Sequence, residues 1–162
     1  MRSAGIDLAS ASYSAASLTE DGKPIATSIW KPDNKKDSDA TKLVGFEKWL
    51  VAKLFAWQPD IVVVEETVSN FQNPKAPLQI AKREGVALLV AKKRKNVVVI
   101  SAMITSSRSI ILSKGNLKKE DAFDEFKKLF PGFKLAPKTV GGMDQADAAV
   151  HGLAGPTHLE RR

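Results

Sequence analysis

Ile61-Val62-Val63-Val64-Glu65-Glu66 is the stretch from which the rest of the chain can be read. Four β-branched residues without a polar break mark a strand buried on both faces, as in a parallel sheet covered by helices on each side. The run then ends on two carboxylates. Just before it, Gln58-Pro59-Asp60 stops a helix, because proline cannot supply the next backbone donor. That helix is written in Leu43, Phe46, Leu50, Leu54 and Trp57, which recur at three- and four-residue steps and form one buried stripe.

Reading outward toward the N-terminus, Lys31–Asp39 is a polar loop, and three strands precede it. They are Ser3–Ala9, a weakly patterned strand within Ser12–Thr19, and Ile25–Trp30, with a turn at Glu20–Lys23. Toward the C-terminus, Thr67–Lys75 is a loop, and a helix runs from about Pro77 to about Lys95. Its Gly85–Ala91 segment, GVALLVA, is apolar nearly all round and predicts burial on more than one side. Val97–Ile100 is a second buried strand. Helices follow at about Met103–Leu112 and Leu117–Phe130, then a loop at Pro131–Lys138 and a last helix from near Gly142 to near Gly155. A hairpin start followed by βαβ units predicts an α/β domain with a five-stranded mixed sheet over residues 1–155. Residues 156–162 are expected to form a flexible tail.

The chain has 162 residues, enough for a sizeable core in one domain. It has no cysteine, which excludes disulfides and thiolate metal sites and suits a reducing cytoplasm. No apolar run is long enough to span a membrane, and no secretory leader is recognisable at the start. The net charge is +7, and its distribution says more than the total. Residues 72–140 carry 15 Lys and Arg against 5 acidic residues, whereas residues 1–71 carry 8 against 10. Such a basic block predicts a polyanionic partner, most often nucleic acid.

Against this basic background, carboxylates stand where core is expected. Asp7 lies inside the first strand, Glu65 and Glu66 close the most apolar strand, and Asp144 and Asp147 open the last helix. The last two are three residues apart and so share a helix face. A buried carboxylate needs a partner, and no single lysine or arginine within these segments serves them all. A divalent cation would. Oxygen donors without cysteine or a close histidine pair favour Mg2+ or Mn2+ over Zn2+. Four acids in a basic protein are the makeup of a two-metal phosphodiester hydrolase. His151, one turn after Asp147, is either a hydrogen-bonding support for this cluster or simply a partly buried helix residue.

Four segments carry a family resemblance: GIDLAS (Gly5–Ser10), VVVEET (Val62–Thr67), IAKREGVALLVA (Ile80–Ala91) and DQADAAVHGLA (Asp144–Ala154). In that order they resemble the RuvC-type Holliday-junction resolvases, over about residues 3 to 154. The resemblance implies an RNase H-like fold, a bacterial or bacteriophage cytoplasmic setting, a homodimer, and paired symmetric nicks in four-way DNA. It implies that Asp7, Asp144 and Asp147 bind two Mg2+ or Mn2+ ions. The fourth ligand is Glu65 by the family's hydrophobic-Glu pattern, or Glu66 by gapless counting from the helix. Arg108 and Lys119 fit the spacing of the family's basic pair near the scissile phosphate, with Lys118 an alternative to Lys119. Phe71 stands a residue or two from the family's loop aromatic. The helix from Pro77 matches the dimer helix. DNA contacts are expected from Phe71, Lys75, Lys82, Arg83, Arg108, Lys114, Lys118 and Lys119. GIDLAS also resembles the first phosphate loop of actin-like ATPases, but the chain is too short for their two domains. A YqgF-like RNA-processing nuclease and a non-catalytic junction-binding module are the other readings.

Overall fold

The computed structural model describes residues 1–8, 13–67 and 75–161. Its elements in chain order are β1 (Arg2–Asp7), β2 (Ser14–Glu20), β3 (Lys23–Trp30), α1 (Asp39–Trp57), β4 (Ile61–Glu65), α2 (Lys75–Lys92), β5 (Val98–Ala102), α3 (Ile104–Leu112), α4 (Lys119–Leu129) and α5 (Gly142–Glu160). The five strands form one mixed sheet in the order β3-β2-β1-β4-β5. β1 pairs antiparallel with β2, and β2 with β3; β1 pairs parallel with β4, and β4 with β5. This is the mixed α/β sheet predicted from the sequence.

Two cores follow from strand alternation. Ala4, Ile6, Leu8, Val62 and Val64 point to one face, where they meet Phe46, Leu50 and Leu54 of α1 and Ala87, Val90 and Ala91 of α2. Ile61, Val63, Ile100 and Ala102 point to the other face, where Leu159 of α5 packs on them. A third cluster, with Phe126 at its centre, joins α3, α4 and α5. Trp30, Trp49 and Trp57 pack at the margin of the first core.

Gly5 governs how closely α5 approaches β1. A Cβ there would collide with the Ala148 carbonyl oxygen and the Gly152 nitrogen, and would lie 2.7 Å from the His151 Cβ. Only a residue without a side chain lets the helix lie on the strand backbone at this point.

Three expectations need correction. The chain beyond Gly155 is not a frayed tail: α5 continues through Pro156 to Glu160. Proline removes one helical hydrogen bond, but Leu159 is anchored on the sheet and the Ser107 hydroxyl lies 3.0 Å from His158 Nε2. α2 ends at Lys92 rather than near Lys95, and Asn96 beyond it has a left-handed backbone, φ 62°. α2 is also not buried all round. Ala87, Val90 and Ala91 are covered, but Leu78 and Leu89 are more than half exposed and Gly85 faces open space.

Candidate active site

The parallel pairing of β1 and β4 aligns Ile6 with Val64. Asp7 and Glu65 are the next residues, so they stand side by side at the carboxyl ends of adjacent strands. Parity sends Glu65 and Glu66 to opposite faces of the sheet. Glu65 shares the α5 face with Ile61 and Val63, whereas Glu66 is exposed. Glu65 Oε2 accepts a hydrogen bond from the Leu8 backbone N–H at 2.9 Å, which ties it to the end of β1.

Across this edge α5 brings Asp144 and Asp147 on one face. Its first turn is fixed by Gly141, at φ 94°, by the Gly142 N–H donating to the Pro137 carbonyl at 3.1 Å, and by the Ala136 N–H donating to Gln145 Oε1 at 2.7 Å. The Ser17 hydroxyl of β2 donates to the Gln145 carbonyl at 3.1 Å and pins the same turn to the sheet. The structure therefore brings Asp7, Glu65, Asp144 and Asp147 to one end of the sheet.

Two cations enter the cluster. Arg108 of α3 makes a two-pronged pair with Asp147, Nε to Oδ1 at 3.0 Å and Nη2 to Oδ2 at 2.7 Å, and its Nη1 donates to the Leu117 carbonyl at 2.7 Å. Both side chains of this pair are buried. Lys119, the first residue of α4, places its ammonium 2.5 Å from Asp144 Oδ1, 3.4 Å from Asp7 Oδ2 and 3.6 Å from Asp147 Oδ2. The eleven-residue spacing of Arg108 and Lys119 thus corresponds to two cations on one acidic cluster.

The electrostatics follow from this packing. Burial pushes the Asp7 carboxyl well above the usual carboxylate range, and the neighbouring Glu65 charge adds to this while Lys119 opposes it. Burial also raises Asp147, against the hydrogen bond and charge of Arg108. Burial works against the Lys119 ammonium, but Asp7, Asp147 and Asp144 outweigh it and hold its pKa above the ordinary lysine value. His151 is fully buried and is held down to about 4, chiefly by burial. Its Nδ1 lies 2.9 Å from the Ser107 hydroxyl. Ser107 also reaches His158, and the residue after it is Arg108, so it braces α3 against α5 directly behind the cluster. Nothing in the sequence pattern singles out Ser107.

The other candidate DNA contacts separate by environment. Lys114 and Lys118 are exposed on the α3–α4 connection. Lys82 pairs with Asp39 of α1 at 2.9 Å. Arg83 is 5% exposed, and its Nη1 donates to the Tyr13 carbonyl at 3.1 Å and to Ser14 Oγ at 2.9 Å, so it fastens α2 to the start of β2. Lys75 opens α2. Phe71 lies outside the described residues.

All the acidic donors are hard oxygens, which fits Mg2+ or Mn2+. Among the described residues, however, no three acidic or histidine side chains are arranged around a single ion position. In this arrangement Lys119 and Arg108 offset part of the cluster's negative charge.

The Thermus thermophilus RuvC structure superposes with a TM-score of 0.76, over 99% of this chain and 96% of that one, at 18% sequence identity. The chain has the RuvC fold. A structure of T. thermophilus RuvC in complex with Holliday junction substrate matches with the same score and coverage. The yeast mitochondrial Holliday junction resolvase Ydc2 matches with a TM-score of 0.63 over 93% of this chain and 75% of that one, again at 18% identity. The RuvC fold is RNase H-like, as the sequence resemblance implied. No protein-family model matches the sequence, and no curated protein matches it. Among the described residues no helix is long and apolar enough to cross a membrane.

Proposed function

We propose that this protein is a metal-dependent endonuclease that resolves four-way or other branched DNA by paired nicks. The observation that carries the reading is the convergence of Asp7 and Glu65, from adjacent strand ends, with Asp144 and Asp147 from α5. The likeness in fold to resolvases supports it. Asp7, Glu65, Asp144 and Asp147 would hold two Mg2+ or Mn2+ ions. Bound there, such ions supply Lewis acidity and a nucleophilic water at neutral pH for in-line attack on a phosphodiester, leaving 5′-phosphate ends.

The chain's own residues do the positioning. β1 and β4 hold Asp7 and Glu65 on rigid strand ends, and Arg108 fixes the orientation of Asp147. Lys119 supplies a cation beside the scissile phosphate. The exposed Lys114 and Lys118 continue the positive edge along the DNA backbone. The uncovered α2 face around Leu78, Gly85 and Leu89 is the surface for a second copy. A two-fold dimer then sets two sites on opposite arms of the junction.

The test is Asp7→Asn, assayed separately for binding and cutting of a synthetic four-way junction. Cleavage is expected to disappear and binding to persist. Full cleavage by the variant would remove Asp7 from the chemistry.

A further inference from the structure

We infer that Lys119 is a displaceable internal counter-cation, and that its ammonium and a divalent ion occupy the same aspartate oxygens in turn. The inference rests on the reading of these carboxylates as metal ligands and adds how the site is kept before it is loaded. Lys119 Nζ is the point on which Asp7, Asp144 and Asp147 converge, at 3.4, 2.5 and 3.6 Å. Three carboxylates gathered at one end of a sheet repel one another unless a cation lies among them.

The two cations of the cluster differ in what can move. Arg108 is 6% exposed and held by three hydrogen bonds, two to Asp147 and one to the Leu117 carbonyl, so it is part of the scaffold. The Lys119 side chain is one-third exposed and projects from the first residue of α4. The backbone before it is held, because Arg108 Nη1 binds the Leu117 carbonyl and the Ala122 N–H donates to the Lys118 carbonyl at 2.9 Å. A four-carbon stem there can swing toward solvent without unwinding the helix. This accounts for why the acids surround a lysine rather than an ion position. It also gives the lysine a second station, since withdrawal from the aspartates carries it to the open side of the cluster, where the DNA phosphates would lie.

The experiment follows the Lys119 Nζ resonance by 15N NMR in the full chain, assigned by its loss in K119R, while Mg2+ binding is measured by calorimetry. In EDTA the ammonium is expected to be protected from exchange by its carboxylate partners. The signal should shift or vanish as Mg2+ is added, with the calorimetric midpoint. K119M, with K119Q as a second variant in case methionine perturbs folding, should bind Mg2+ about tenfold more tightly, ~1.4 kcal/mol. A Lys119 signal unchanged at saturating Mg2+, or unchanged affinity in both variants, overturns the exchange but leaves the metal-ligand reading intact. Absence of any Mg2+ binding by the wild-type chain overturns both.

Discussion

Replacing Gly5 by alanine should damage the fold and the site together. The new Cβ would overlap the Ala148 carbonyl oxygen and the Gly152 nitrogen, both backbone atoms of α5, and stand 2.7 Å from the His151 Cβ. Against ordinary contact at 3.4 Å, the His151 contact alone demands a retreat of about 0.7 Å, and the backbone overlaps demand more. Overpacking in a dense core costs roughly 1–3 kcal/mol, occasionally more. With helix backbone rather than a side-chain tip in the way, we expect ~3 kcal/mol or more. At roughly 2–4 °C per kcal/mol for a chain of this size, Tm should fall by ~6–12 °C. The helix forced outward carries Asp144 and Asp147, so cleavage should fall by ~100-fold even where the variant is fully folded, as expected for misplacement by about 1 Å. Urea denaturation measures the stability change. Gly132→Ala is the control: its Cβ meets nothing, and it should be neutral or slightly stabilising. A Gly5→Ala protein within about 1 kcal/mol of wild type would refute the argument that α5 lies directly on the β1 backbone.

Arg108→Met leaves the buried Asp147 carboxylate without its two-pronged partner. It should cost ~3–5 kcal/mol in urea melts, and the Arg108→Met/Asp147→Asn double variant should lose much less than the sum of the singles. His151 has a folded pKa of about 4 against an ordinary 6.5, so the unfolded chain binds the extra proton in that window. Its contribution to stability is therefore complete above pH 6.5 and falls as pH drops toward 4, by ~2 kcal/mol at pH 5. Glu65, His158, Arg108 and Lys119 also act on this ring, so the slope is read as the difference between wild type and His151→Asn, and equal slopes would contradict it. Junction binding should weaken steeply as salt rises, and Lys114→Ala/Lys118→Ala should flatten that slope; an unchanged slope would take these two lysines off the DNA surface.

Much of the fold was legible because strand alternation and helical spacing are strictly local signals. The run Ile61–Val64, the α1 stripe and the hairpin start each report their own burial. The acidic cluster was legible because carboxylates broke those patterns at three separate places: Asp7, Glu65-Glu66, and Asp144 with Asp147. Which of Glu65 and Glu66 stands beside Asp7 was not, since both faces of β4 are apolar and only its register beside β1 sets this. Linear charge counting grouped Lys82, Arg83, Arg108 and Lys119 with the exposed lysines. In the structure Lys82 binds Asp39, and Arg83 and Arg108 are buried in structural hydrogen bonds, so the basic block is in part internal wiring. The open face of α2 looked like interior because sequence does not distinguish a core from an uncovered apolar face. The segment after Pro156 looked frayed because the anchoring of Leu159 on the sheet is a long-range contact.

The most direct measurement is cleavage of a strand-labelled synthetic four-way junction beside linear duplex and an RNA–DNA hybrid, with Mg2+, Mn2+ or EDTA. Paired, symmetric nicks in the junction alone, dependent on metal and absent in EDTA, are expected. Tight junction binding without cutting under either metal, or cutting of the hybrid in place of the junction, would contradict the proposed function.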